Sequence, residues 1–332
     1  MQAIVIDTPG SAHDLRLAQV PDPRPAPGEV LVEVRASGVN RADIFQSEGK
    51  YDPPAGASAI LGLECAGEVV EVPAGTTTDL RVGDRVMCLL DGGGYAEIAA
   101  VPVGQVMRVP ERLTWAEAAA IPEVFITAYL TLVELGRVRA GDVALVHSIA
   151  SGVGTAAAQI CAALGVRCIG TSRTAARAAA GAPWGATPLA TPDGTFAPQV
   201  RALTDNLGVD VVLDLVGARY LSENVRSLAR GGRIILTGLV GGRRAELDLG
   251  ALLPLQATII GSTLRGRTAS EKAQIVSSFA AWGLPLLESG VLNPVVDTVL
   301  PLAAASTAHA LLKSNETVGK VVLVTGNTNA LG

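Results

Sequence analysis

Residues 147–165 read HSIASGVGTAAAQICAALG. An apolar run, VALVHS, leads into this stretch, and its second half is an alanine-rich helix. A strand passing through a glycine-bearing turn into a helix is how a parallel-sheet nucleotide domain presents backbone amides to a phosphate. The dinucleotide fingerprint G-x-G-x-x-G is nevertheless not intact. Aligned on Gly154, its first two glycine positions hold Ile149 and Ser151. Two readings stand: a cradle adapted to one cofactor, or a tight strand-to-helix turn.

On the first reading, Gly152 and Gly154 let the backbone approach a pyrophosphate at the start of a helix beginning near Ser151. The amide donors and the helix dipole both favour an anion there. Ser151 stands in for a glycine if its hydroxyl points to the ligand. The next strand separates the readings further. An NAD-selective site places Asp or Glu about 20 residues on, against the ribose hydroxyls. Here that strand ends in TSRTAAR, without an acid. Ser172, Arg173 and Arg177 offer a hydroxyl and two guanidinium groups, which suit a 2′-phosphate and favour NADPH over NADH. The alternative is that both arginines are solvated helix charges.

Outward from this turn, VRCIGTS, VDVVLDLVG, GRIILTGL and ATIIGSTL are further strand candidates with helical stretches between most of them. Strands alternating with helices predict a parallel sheet covered on both faces. The first 110 residues differ. EVLVEVRAS, CAGEVVEV, RVMCLL and YAEIAA are separated by PAPG, PAGT and DGGG, which predicts a mostly antiparallel region with one short helix, RADIFQSEG, capped by Asn40. After residue 270 a long helix, AQIVSSFAAWGLPLLESG, precedes PVVDTVLPL, AAASTAHALLKS and KVVLV, a return to the first region. The predicted architecture is α/β: a doubly wound parallel sheet over 121–267 inserted in a β-rich domain formed by 1–120 and 268–332.

With 332 residues, two domains are the expectation. Only 3% of residues are aromatic and 37 are glycine, as in a core of small aliphatic side chains with many tight turns. The net charge of −5 and the lack of a basic block argue against nucleic-acid binding. The N-terminus, MQAIVIDTPG, reads as a first strand rather than a leader. No uninterrupted apolar run reaches the roughly 18 residues of a membrane span. Cys65, Cys88, Cys161 and Cys168 are scattered without a C-x-x-C pair, the pattern of reduced thiols in the cytoplasm.

Taken together, VNRADIFQSEGKYDPPAGASAILGLECAGEVVEV, AAAIPEVFITAY, HSIASGVGTAAAQ, GRIILTGLVGG, GSTLRGR and VGKVVLV resemble, in order and over essentially the whole chain, the medium-chain dehydrogenase/reductase superfamily. Within it the chain is most similar to the zinc-free, zeta-crystallin-like NADPH:quinone oxidoreductases, and among those to the tumour-suppressor-inducible branch. The resemblance implies a Rossmann domain inserted in a GroES-like catalytic domain. Zinc-dependent members ligate catalytic metal with a Cys after the third strand and a His in a G-H-E turn. Here GVNRAD and GLEC put Asn40 and Leu63 in those places, and the four-cysteine structural zinc lobe is absent. Zinc needs nitrogen, thiolate or carboxylate ligands, so no metal is expected.

Without zinc to polarise a carbonyl, hydride must go to an acceptor already activated, a quinone or a conjugated carbonyl. The resemblance places Tyr51 toward the substrate, and the stiff Asp52-Pro53-Pro54 segment after it fixes its ring. It puts Asn40 and Thr127 near the nicotinamide, and gives Ser151 a part in activity as well as in the cradle with Gly152, Val153 and Gly154. It brings Gly238 and Leu239 of the GLVGG run, Leu264 and Arg265 of GSTLRGR, and Lys320 to the cofactor. Tyr51, Asn40 and Ser151 are the expected catalytic residues. Asp43 is expected to orient its loop or pair with Arg41, and His147 to be a satisfied structural histidine. The place after the third strand of the nucleotide domain, LATPDG, holds Ala190 and Thr191 where relatives carry an adenosine-gripping pair, so the 2′-phosphate grip falls to Arg173 and Arg177.

The expected function is an NADPH-dependent, zinc-independent quinone reductase. An enoyl reductase acting on α,β-unsaturated carbonyls or thioesters is the alternative, and a non-catalytic NADPH-binding structural or regulatory protein the third possibility. The apolar strand ATIIGSTL at the edge of the nucleotide sheet, together with the resemblance, leads us to expect a homodimer. The expected partner is a small molecule, with no nucleic acid and no membrane.

Overall fold

The computed structural model describes residues 1–6 and 15–326. The last residues of the expected first strand, and the chain end beyond Gly326, lie outside them. The chain divides into two compact units, Met1–Ile126 with Leu264–Gly332, and Thr127–Thr263. The division falls inside the helix Pro122–Tyr129.

The first unit opens with β1 (Gln2–Ile6) and β2 (Leu15–Gln19), an antiparallel pair. Five further strands follow: β3 (Glu29–Val39), β4 (Glu64–Glu71), β5 (Arg85–Leu89), β6 (Ile98–Pro102) and β7 (Val106–Arg108). β3 pairs antiparallel with both β4 and β6, and β4 and β5 continue the sheet to β7. Val30, Val32 and Val34 of β3 and Val69 of β4 bury into one aliphatic core with Val86, Cys88 and Val101. Cys65 and Cys88 stand opposite each other in the β4–β5 register, and all four cysteines are buried and free.

In the second unit the strands are β8 (Val143–Val146), β9 (Arg167–Ser172), β10 (Thr187–Ala190), β11 (Val209–Asp214), β12 (Leu228–Leu236) and β13 (Thr258–Gly261). All pair in parallel in the order β10-β9-β8-β11-β12-β13. The central β8 is buried at every residue, the mark of a strand covered on both faces. β10, TPLA, carries Pro188 and is half exposed, as an edge strand allows. The strand order reverses between β8 and β11, and ligands of such sheets bind beyond the strand ends at that switch point.

The chain then returns to the first unit. The helix Ala269–Glu288 is capped by Thr268, whose hydroxyl accepts from the Glu271 amide. β14 (Val296–Pro301) and β15 (Lys320–Val324) follow, with the helix Ala305–Ser314 between them. β15 pairs antiparallel with β3, completing the sheet. The segment Trp115–Leu135 is long and apolar enough to cross a membrane by length and composition alone. It is 78% buried over its most apolar window and carries Glu117, Glu123 and Glu134, so packing accounts for its apolarity.

Candidate active site

In the second unit the stretch after β8 forms the expected turn. His147 donates its amide to the Leu213 carbonyl at 3.1 Å, and Ile149 donates to Thr171 at 3.0 Å, which ties the turn to both flanking strands. Ser148 takes a left-handed φ of 53°. Ile149 is wholly buried, so the first apparent glycine position is a core position.

The helix Gly152–Leu164 begins after Ser151, whose hydroxyl accepts from the Gly154 amide at 3.0 Å. The Ser151 oxygen is thus a helix cap, and its hydroxyl hydrogen remains a donor. Gly154 is required by close approach, since a Cβ there would lie 2.4 Å from the Ser148 carbonyl oxygen. Gly152 and Val153 occupy the first turn between these two residues.

At the end of β9, the Ser172 carbonyl accepts from the Thr191 amide at 2.7 Å and its hydroxyl at 3.3 Å. Thr191 therefore joins β9 to β10. Arg173 is exposed, and Arg177 follows in a short helix capped by Thr174. The carboxylate that would select unphosphorylated ribose is absent from this turn.

His147 is fully buried and satisfied on both nitrogens, at 2.7 Å from Thr171 Oγ1 and 2.7 Å from Asn224 Oδ1. Asn224 donates through Nδ2 to Asp214 Oδ2 at 2.9 Å, which turns its oxygen toward the imidazole. Nε2 is then the donor and Nδ1 accepts from Thr171. Burial lowers the imidazole pKa, in keeping with a neutral structural histidine. Asp214 Oδ1 accepts from Val216 and Gly217, fixing the loop after β11. The GLVGG loop packs on that loop: Gly241 donates to Val216 at 2.7 Å, and a Cβ on Gly238 would lie 2.6 Å from the Leu215 oxygen. Its glycines are explained by loop packing, and Leu239 is 46% exposed. Thr127 is buried and its carbonyl accepts from the Thr131 hydroxyl at 2.6 Å.

The first unit holds a buried polar cluster that the sequence reading touched only at Asn40, Asp43 and Lys320. Lys320 Nζ donates to the Val39 carbonyl at 2.9 Å and Asn40 Oδ1 at 2.6 Å, and pairs with Glu64 Oε1 at 2.6 Å. These contacts hold the buried Lys320 ammonium inside the cluster. Asn40 Nδ2 donates to Glu64 Oε1 at 2.8 Å. Asn40 also stands at the N-cap of the helix Arg41–Ser47, in a capping box with Asp43, and its backbone amide donates to Asp43 Oδ2 at 2.8 Å. Asp43 also accepts from Gly62 at 3.0 Å and from the Tyr95 hydroxyl at 3.3 Å, which orients the loop before β4. Arg41 turns instead to the Leu312 carbonyl and Asn315, not to Asp43. Burial pushes the Asp43 pKa up to about 6. Leu63 is fully buried and aliphatic.

Glu64 Oε2 accepts from the Glu123 amide at 2.8 Å, pinning the start of the helix Pro122–Tyr129. Burial, then repulsion from Glu64, raises the Glu123 carboxyl to about 8. Sequence reading missed Glu64 and Glu123. A lone acid inside AAAIPEVFITAYLTL was the available signal, because a charge within an apolar helix needs a partner or a proton.

Tyr51 and Arg265 meet in the same unit, the guanidinium carbon lying 5.3 Å from the ring centroid. Arg265 is 4% exposed and donates through Nε to the Asp91 carbonyl at 3.0 Å and through Nη2 to the same oxygen. Lys272 Nζ pairs with both carboxylate oxygens of Asp91, fixing that carbonyl. Arg265 Nη1 is buried without a partner. Leu264, beside it, is buried. Burial raises the Tyr51 phenol pKa, with Arg265 opposing. Among the described residues no group of three or more His, Cys, Asp or Glu has an arrangement fit for a metal ion.

Two family models match this chain: the GroES-like domain of alcohol dehydrogenases over residues 26–111, and the zinc-binding dehydrogenases over 152–281. The quinone oxidoreductase of Sus scrofa is 30% identical over 328 residues, covering 98% of each chain. The synaptic vesicle membrane protein VAT-1 homolog of Rattus norvegicus is 30% identical over 343 residues, covering 98% of this chain and 84% of that protein. A mycobacterial structure solved in complex with NADPH superimposes with a TM-score of 0.88 at 33% identity, covering 98% of this chain and 99% of that one. The parallel six-stranded sheet with its turn at Ser151 and the antiparallel sheet bearing Asn40 each agree with these matches. The chain is an oxidoreductase of the medium-chain dehydrogenase/reductase superfamily and belongs to its quinone oxidoreductase family.

Proposed function

We propose that this protein is an NADPH-dependent, zinc-independent reductase that passes a hydride to quinones. The end of β9 carries the cofactor part of the reading. Arg173 and Arg177 follow Ser172 in a turn with no carboxylate, a donor set suited to a 2′-phosphate and hostile to none of its charge. The pyrophosphate would lie against Gly152, Val153 and Gly154, with the Ser151 hydroxyl hydrogen as an added donor. Thr127, Gly238 and Leu239 would line the nicotinamide end. The NADPH complex of the mycobacterial relative supports this choice of cofactor. Bound there, the reduced nicotinamide supplies the hydride.

Zinc independence rests on the donors. Asn40 spends its amide on Lys320 and Glu64, and Leu63 offers no lone pair. The acceptor must therefore be electron-poor before it binds, as a quinone is. Tyr51 and Arg265 are the groups that would receive its oxygen. The name of the porcine relative, quinone oxidoreductase, supports this acceptor class. We place the protein in the cytoplasm as a homodimer pairing through β13, the half-exposed edge of the parallel sheet.

The test is a side-by-side assay of 1,2-naphthoquinone and an α,β-unsaturated ketone, each with NADPH and with NADH. The reading expects the quinone with NADPH to be turned over fastest. Faster enoyl turnover would transfer the assignment to an enoyl reductase, and no turnover of either despite NADPH binding would defeat an enzymatic role.

A further inference from the structure

Arg265 is a buried cation without a counter-ion. It is 4% exposed, and its guanidinium donates through Nε at 3.0 Å and through Nη2 to a single acceptor, the Asp91 carbonyl oxygen. The Asp91 carboxylate does not serve it, because Lys272 Nζ, itself buried, holds both of its oxygens. Among the described residues no carboxylate pairs with Arg265, and Nη1 is buried without an acceptor.

Two cations and one carboxylate leave a surplus positive charge in this cluster, and a guanidinium never loses its proton in a protein. Burying that charge against a carbonyl dipole alone is costly unless an anion completes the site. Tyr51 lies against the same guanidinium, its ring centroid 5.3 Å from the guanidinium carbon. The tyrosine is half-buried, stands outside any helix or strand, and its hydroxyl makes no hydrogen bond among the described residues.

We propose that Arg265 Nη1 and the Tyr51 hydroxyl form an oxyanion site for aromatic phenolates, with Asp91 and Lys272 as its positioning pair. The natural ligand is the hydroquinone monoanion left by hydride transfer, so the assignment rests on the quinone-reductase reading. Tyr51 shifts its ring to admit the ligand oxygen to Nη1, while Asp91 and Lys272 hold the guanidinium still.

In the step, a C–H bond of the reduced nicotinamide breaks, and its hydrogen and electron pair form one new bond on the neutral acceptor. The nicotinamide is oxidised, and the acceptor becomes a monoanion with its charge on oxygen. A quinone carbonyl gains only a hydrogen bond from Nη1. A phenolate gains an ion pair as well, in a place where water screens little. Binding therefore tightens as charge develops, which is what lowers the barrier, and the donor is already oriented when it does. The monoanion leaves and takes its proton from solvent.

The probe is 4-nitrophenol, whose phenol and phenolate forms differ in colour. It is titrated into wild type, Arg265→Ala, Lys272→Met and Lys272→Arg, each saturated with NADP⁺. We expect wild type to bind the phenolate form about tenfold more tightly than the phenol form, and Arg265→Ala to lose that preference. Added guanidinium ion should restore it in Arg265→Ala, which a misfolded variant would not permit. Lys272→Met should weaken phenolate binding and Lys272→Arg recover it, with NADPH affinity level in both. Dye bound in its neutral form, or phenolate binding in Arg265→Ala equal to wild type, overturns the site while leaving the quinone reading intact. Lys272→Met indistinguishable from wild type overturns the positioning role. Wild type that oxidises NADPH with no quinone removes the quinone reading, and the assignment of the natural ligand with it.

Discussion

The ammonium of Lys320 on β15 and the carboxylate of Glu64 on β4 pair at 2.6 Å across the intervening β3, with 3% and 0% of their side chains exposed. Neither charge has water to fall back on. Lys320→Met should therefore destabilise the protein by about 3–5 kcal/mol, because it strands a buried carboxylate. The double variant Lys320→Met with Glu64→Gln should recover part of that loss. Denaturant unfolding of Lys320→Met, Glu64→Gln and the double variant measures it, and additive losses would argue that the pair is not coupled.

The buried acids make stability depend on pH. The Glu123 pKa is raised in the folded state from 4.5 to about 8, and that of Asp43 from 3.8 to about 6. A raised carboxyl favours the fold below its unfolded pKa, and that contribution is lost as pH rises through the folded value. Replacing Glu123 by Gln removes its share of this dependence. The melting temperature of Glu123→Gln relative to wild type should rise between pH 4.5 and pH 8, then level off. A difference constant across that range would show that Glu123 is not held protonated.

At the cofactor end, Arg177→Ala should weaken NADPH binding about tenfold or more while sparing NADH, as expected for loss of a charge-assisted hydrogen bond. Calorimetric titration with both nucleotides reads the ratio. An unchanged preference would take Arg177 out of the phosphate grip.

Ser151 has a structural duty that sequence alone hid. Because its oxygen caps the helix Gly152–Leu164 through the Gly154 amide, Ser151→Ala should cost about 1 kcal/mol of stability. Ser151→Asp should retain the cap yet repel a pyrophosphate. Melting curves paired with NADPH titration distinguish the two duties: loss of affinity without loss of stability in Ser151→Asp marks the phosphate contact.

Most of the fold was legible because its strands obey simple patterns. β8 and β11 are apolar runs, and β3 with β4 carries the valine-rich core of the antiparallel sheet. β10 was not legible, since TPLA is short, contains a proline and lies half exposed at an edge. The Ser151 turn could be singled out from local residues, Tyr51 and Asn40 through the family resemblance. Glu64, Glu123 and the final partners of Lys320 could not, because Asn40, Glu64 and Lys320 lie far apart in sequence and meet only when β15 pairs with β3 and β3 with β4. A buried charge announces that it needs a partner, without naming one. Asn40 illustrates the limit: its cap position could be read locally, but its side-chain bond to Glu64 could not.

Hydride transfer from NADPH without a metal is the step on which every proposed role of these residues depends. Protein dialysed against a strong chelator, verified metal-free by mass spectrometry and assayed with NADPH and 1,2-naphthoquinone, tests this most directly. Turnover equal to that of untreated protein is the predicted result. Loss of turnover that stoichiometric zinc restores would contradict it.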